Sequence, residues 1–113
     1  MIEFNYNLVA DISPLKNHVN LERIYGAHNQ LRRLDDQLQF PKLSLLELGY
    51  NDFPYLNNEA QLQFLNKIAQ FTTLEALGLS NNNLSTIEPL ESLVNLRSVF
   101  LTANKLTSID TLK

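Results

Sequence analysis

The sequence predicts an α/β repeat solenoid, with a parallel β-sheet on its concave face and, on the convex side, 3₁₀ or short turns and one α-helix at about residues 59–71. Three observations predict it. The stretch Leu74 to Leu84, LEALGLSNNNL, recurs twenty-two residues later as Leu96 to Leu106, LRSVFLTANKL, with apolar residues at the first, fourth, sixth and eleventh places and asparagine at the ninth. Counting back from Asn82 and Asn104 finds Asn51, Asn29 and Asn7, at spacings of 22, 22, 31 and 22 residues from first to last. The alternation around the fourth and sixth places is the period-two signal of a strand with one face buried.

Composition agrees. Of 113 residues, 44% are hydrophobic, leucine supplies 23 and asparagine 14, which is the excess that an asparagine-punctuated leucine repeat produces. The length suits one small domain. Residues 1–113 are therefore read as a single domain of about five repeats, truncated at both ends. A net charge of −3, with both signs mixed along the chain, argues against nucleic acid, which needs clustered cations. The basic pair Arg32-Arg33 is followed at once by Asp35-Asp36. No cysteine is present, so disulfides and thiol chemistry are excluded, which suits a reducing compartment. No stretch approaches the ~20 apolar residues of a membrane span, and the N-terminus has no signal-peptide pattern. A soluble, cytoplasmic protein with no membrane partner is expected.

The repeats follow in order. The first starts at its fourth place, with Ile2 and Phe4, and runs through Asn7 to Val9. The second is Leu21, Ile24, Gly26, Asn29, Leu31, and its Gly26 stands where every other repeat has leucine or phenylalanine. A bulge or a gap filled by a neighbour such as Phe4 accounts for it; close approach of a ligand to the backbone is the alternative. Leu43, Leu46, Leu48, Asn51 and Phe53 form the third repeat without exception. The return path also repeats, since Ile12-Ser-Pro-Leu15 shares its frame with Ile87-Glu-Pro-Leu90, each followed by Val-Asn-Leu; Ile109 and Leu112 begin the path again.

The 31-residue interval contains Asn58 to Phe71, NEAQLQFLNKIAQF. Leu62, Leu65, Ile68 and Ala69 at spacings of three and four predict the apolar face of a helix, with Asn58 as N-cap and Gln61 as its capping-box partner. His18 occupies the return-path place of Phe40, Phe71 and Leu93 and is expected to be partly buried.

Each repeat contributes one strand, and no repeat can bury its leucines alone. The ninth-place asparagine both donates and accepts, so it can satisfy backbone groups of adjacent turns where the chain leaves the strand. Strands pack at about 4.8 Å and helices at about 10 Å, so the sheet must line the inside of the curve. The fifth place reads Glu3, Tyr25, Glu47, Gly78, Phe100; the eighth reads Tyr6, His28, Tyr50, Asn81, Ala103; the seventh reads Asn5, Ala27, Gly49, Ser80, Thr102. Aromatic residues on solvent-facing places are favoured binding anchors. Tyr6, Tyr25, His28, Glu47, Tyr50 and Phe100 are the candidate concave binding residues, for a protein or peptide.

Chemistry is sparse. His18 and His28 stand apart with no cysteine or carboxylate at ligand spacing, so no metal site is expected. Asp35-Asp36 reads as a solvated turn rather than a catalytic pair. The three glycines, 26, 49 and 78, lie in strand frames and form no phosphate loop, and Asn83-Leu-Ser85 is a chance sequon. No catalytic residue and no cofactor is expected.

The pattern L-x-x-L-x-L-x-x-N-x-L is that of a leucine-rich repeat. With its 22-residue period, Ile-x-Pro-Leu return and Val-Asn-Leu entry, the chain resembles the short leucine-rich repeats of phosphatase-1 regulatory subunits and bacterial internalins over nearly its whole length. The resemblance implies non-catalytic protein–protein recognition through the concave face. Two alternatives are a recognition domain of a larger enzyme or signalling protein, and a structural solenoid that self-associates through uncapped ends, the Ile2–Phe4 edge meeting the Ile109–Leu112 turn.

Overall fold

The computed structural model describes residues 1–7, 9–31, 34–35, 37–51, 58–80, 82 and 84–101. Asn81, Asn83, Ala103 and Asn104, and likewise Arg32, Arg33, Asp36, Phe53, Ile109, Leu112 and the Asn58 side chain, lie outside the described residues. Five short strands, β1 (Ile2–Glu3), β2 (Arg23–Tyr25), β3 (Leu45–Glu47), β4 (Ala76–Gly78) and β5 (Ser98–Phe100), form one parallel sheet in chain order.

The register follows the repeat. Ile2 pairs with Ile24, Ile24 with Leu46, Leu46 with Leu77 and Leu77 with Val99, so every fourth place stacks on the next. Sixth places continue the ladder: the N–H groups of Phe4, Gly26, Leu48 and Leu79 donate to the carbonyls of Tyr25, Glu47, Gly78 and Phe100 at 2.8, 2.8, 2.9 and 2.8 Å. Behind the sheet lies one core, with Ile24, Leu31, Leu43, Leu46, Leu48, Leu74, Leu77 and Leu79 fully buried in it. These are the first-, fourth-, sixth- and eleventh-place residues that the pattern sends inward.

The asparagine ladder has the expected geometry where it is described. Asn29 Nδ2 donates to Phe4 O at 2.9 Å and Gly26 O at 3.1 Å, and Asn51 Nδ2 donates to Gly26 O at 3.1 Å and Leu48 O at 2.8 Å. Asn82 Nδ2 donates to Leu48 O at 2.9 Å and Leu79 O at 3.3 Å. Each amide thus spans the sixth-place carbonyls of its own turn and the preceding one. Its oxygen also reaches back, since Asn29 Oδ1 accepts from Val9 N–H at 3.1 Å and Asn51 Oδ1 from Leu31 N–H at 3.0 Å. Asn29, Asn51 and Asn82 are buried, whereas Asn7 is exposed and, among the described residues, bonds within its own turn, to Phe4 O and Asn5 O.

Gly26 is explained by packing. A Cβ built there would lie 2.7 and 2.8 Å from Cζ and Cε2 of Phe4, so the Phe4 ring fills the place of the missing side chain. The return path forms as read, through 3₁₀ segments Ser13–Asn17 and Glu88–Ser92, each with proline in its first turn and each preceded by a buried isoleucine, Ile12 or Ile87. Asp35 Oδ1 accepts from Gln37 N–H at 2.7 Å.

The long interval holds helix α1 (Asn58–Ile68), 11 residues, ending three residues before the predicted stop at 71. Its buried face is corrected. Gln61, Phe64, Leu65 and Ile68 face inward, while Leu62 is 40% exposed. A glutamine reads as a surface residue, but Gln61 Oε1 accepts from Ser85 N–H at 3.1 Å and Ser85 Oγ at 3.2 Å, so its burial is compensated. That bond ties α1 to the next turn; the capping pair expected of Asn58 and Gln61 involves the Asn58 side chain, which lies outside the described residues.

His18 is the second correction. Phe40, Phe71 and Leu93 are buried at the equivalent place, but His18 is exposed. Phe40 and Phe71 cover one another across neighbouring turns, with ring centroids 5.4 Å apart.

Candidate functional site: the concave sheet face and its aromatic ridge

The six predicted residues fall into two groups rather than one surface. Tyr25, Glu47 and Phe100 stand on the sheet itself, at the fifth places of β2, β3 and β5. Tyr6, His28 and Tyr50 form a ridge beyond the C-terminal ends of β1, β2 and β3.

The ridge is a stack of rings. Tyr6 and His28 have centroids 4.1 Å apart and planes 11° from parallel; His28 and Tyr50 are 4.2 Å apart at 10°. Each residue has a positive φ, 59°, 58° and 56°, the left-handed conformation that costs an L-residue roughly 1–2 kcal/mol. The backbone holds them there. The N–H groups of Tyr6, His28 and Tyr50 donate to Ala27 O, Gly49 O and Ser80 O of the next turn at 3.0, 2.9 and 2.9 Å. Because the turns repeat, three identical backbone kinks project three rings in line. Tyr6 is 76% and Tyr50 49% exposed, with His28 half-buried between them.

On the sheet, period two puts third-place residues beside fifth-place ones. Leu45 and Ala76 therefore join Tyr25, Glu47, Gly78 and Phe100 around a shallow depression of about 70 Å³. The sequence reading missed Leu45 and Ala76. The strand alternation that placed the fifth row on this face places the third row there too, and that signal was sufficient to find them. Phe100 is 57% exposed; Tyr25, Leu45, Glu47 and Ala76 are half-buried.

Glu47 is fixed in the middle of this row. Its Oε1 accepts from Gly49 N–H at 2.7 Å. Its carboxylate also lies over Gly78, where a Cβ would collide with Oε2, Cδ and Oε1. The fifth row thus runs tyrosine, carboxylate, bare backbone, phenylalanine, and the carboxylate bends over the bare position toward Phe100. Among the described residues no cation comes within 4.0 Å of Glu47, and no group of three or more His, Cys, Asp or Glu side chains is placed to hold a metal.

Comparison with known proteins agrees with this geometry. Residues 72–113 match the family model for leucine-rich repeats, in two copies. No curated protein matches the chain in sequence. Among solved structures, an internalin from Listeria monocytogenes is similar over 94% of this chain at 24% identity, with a TM-score of 0.56. The chain spans 36% of that internalin's length. With a parallel sheet in repeat register, a buried asparagine ladder and short convex returns, the chain has the fold of a leucine-rich repeat solenoid, and its residues 72–113 carry the sequence pattern of that repeat.

Proposed function

We propose that this chain is a non-catalytic interaction module that binds a protein or peptide across its concave face, in a cytoplasmic setting suited to its cysteine-free sequence. The observation that carries this reading is the solvent-facing apolar row of the sheet, with Phe100 57% exposed beside Leu45, Ala76 and Tyr25. Aromatic side chains offer large contact area at low entropic cost, which is what an anchor requires.

Size favours a slender partner. Five strands at about 4.8 Å and about 15 Å of usable strand length present roughly 350 Å², under half the ~800 Å² per partner of a standard interface. An extended segment or a single helix fits that area. A globular partner would also have to use the aromatic ridge.

The test is affinity capture with the wild-type chain and with a Tyr25→Ala, Tyr50→Ala, Phe100→Ala variant, with circular dichroism to show that both are folded. Proteins captured by the wild type and lost by the variant support the face. Capture that is undiminished by the three substitutions rejects it.

A further inference from the structure

The depression on the sheet is lined by apolar side chains and rings, with one carboxylate held over its floor. Leu45 and Ala76 line it, the Tyr25 and Phe100 rings stand on its two sides, and the Glu47 carboxylate projects into it over Gly78. Two features of the backbone put the carboxylate there. Gly49 N–H holds Oε1 at 2.7 Å, and glycine at 78 leaves the space that the carboxylate occupies. The second oxygen, Oε2, has no hydrogen-bond partner among the described residues. Arg23, which shares the face, does not line the depression.

A carboxylate oxygen standing among apolar side chains and rings accepts a charge-assisted hydrogen bond from a cation whose apolar stem can rest on those rings. We propose that Glu47 is the specificity centre of the concave face, and that it receives one basic side chain, lysine or arginine, of a bound peptide segment, whose stem lies between Tyr25 and Phe100. The inference rests on the peptide-binding reading above and names the chemistry of the partner. Complementarity of charge supports it: the chain carries a net charge of −3 and Glu47 is the one acidic residue lining the depression. Scale supports it too. A space of about 70 Å³ takes the end of one side chain, not a folded surface. A lysine offers a compact ammonium and an arginine a planar fork that also stacks on rings. Both satisfy Oε2.

The probe is a phage-displayed library of random twelve-residue peptides selected on the immobilised full chain, in parallel with Glu47→Gln, Gly78→Ala and Phe100→Ala. Circular dichroism shows which variants are folded. The wild type is expected to enrich peptides with lysine or arginine at one fixed position beside apolar residues. A selected peptide should lose about tenfold in affinity for Glu47→Gln, while its norleucine-substituted counterpart changes less than about threefold. Gly78→Ala keeps the charge and displaces it, and should lose the same preference. Comparing lysine and arginine at the enriched position distinguishes the two cations. Enrichment without a basic position, or a basic preference that survives Glu47→Gln, overturns the role of Glu47 and leaves the peptide-binding reading standing. No enrichment on the wild type, or enrichment indifferent to Phe100→Ala, overturns that reading and this inference with it.

Discussion

The carboxylate of Glu47 lies across the Cα of Gly78 on the neighbouring strand, in the volume that any side chain at position 78 would enter. Gly78 does not have a positive φ, so its smallness matters for contact and not for backbone strain. Gly78→Ala should therefore push the carboxylate aside and break its bond to Gly49 N–H, at about 0.5–1.5 kcal/mol. The atoms displaced are the end of a flexible side chain, so the fold should persist. Urea unfolding of the variant checks the magnitude, and a loss above about 3 kcal/mol would show that the strand itself had moved.

Gly26 presents the opposite case. An alanine there meets the Phe4 ring at 2.7 and 2.8 Å and Leu48 Cδ2 at 3.3 Å, and these groups are packed against the core. Gly26→Ala should destabilise by about 1–3 kcal/mol through overpacking. Adding Phe4→Leu should recover part of that loss, and a double-mutant cycle in urea measures the coupling. Additive effects would show that Phe4 does not fill the gap.

Replacing a buried asparagine should cost more than replacing the exposed one. Asn51→Ala removes an amide that donates to Gly26 O, Leu48 O and Gly49 O and accepts from Leu31 N–H. Each buried group left unpaired costs about 1–3 kcal/mol. Asn7→Ala, on an exposed residue that bonds within its own turn, should fall within about 0.5 kcal/mol. Equal losses in chemical denaturation would refute the ladder as the source of stability.

The aromatic ridge predicts an inverted order of substitutions. Tyr50→Ala loses the His28 stack and keeps a Cβ at φ 56°, whereas Tyr50→Gly loses the same stack without the left-handed penalty. Glycine should be the more stable variant by about 1 kcal/mol, the reverse of the order in a strand. Thermal unfolding followed by circular dichroism distinguishes them.

The face of α1 can be tested by two truncations. Phe64→Ala empties a fully enclosed site and should cost about 3–5 kcal/mol, while Leu62→Ala, on the solvent side, should cost under about 1 kcal/mol. A larger loss at Leu62 would restore the face that the spacing of 62, 65, 68 and 69 suggested.

The errors have a common physical origin. Spacing reports which residues are apolar, and it grouped Leu62 with Leu65, Ile68 and Ala69 while giving Gln61 a capping role instead of a core one. What brought Gln61 inward is a bond to Ser85, twenty-four residues away. His18 occupies a place that the frame makes interior, but among the described residues no ring pairs with it as Phe71 pairs with Phe40. The third-place residues Leu45 and Ala76 were legible from strand alternation and went unread.

The sequence by itself determined the repeat, its register and the direction of every fourth- and sixth-place side chain, because a two-residue strand period and a recurring asparagine leave one way to stack the turns. It also determined that Tyr25 and Phe100 would face outward. Only the tertiary structure decided that Tyr6, His28 and Tyr50 would stack as a ridge apart from the sheet, and that Glu47 would fold over Gly78. These depend on contacts between residues twenty-two to thirty-one positions apart, where a side chain's direction is set by the turn lying next to it and not by its own neighbours in the chain.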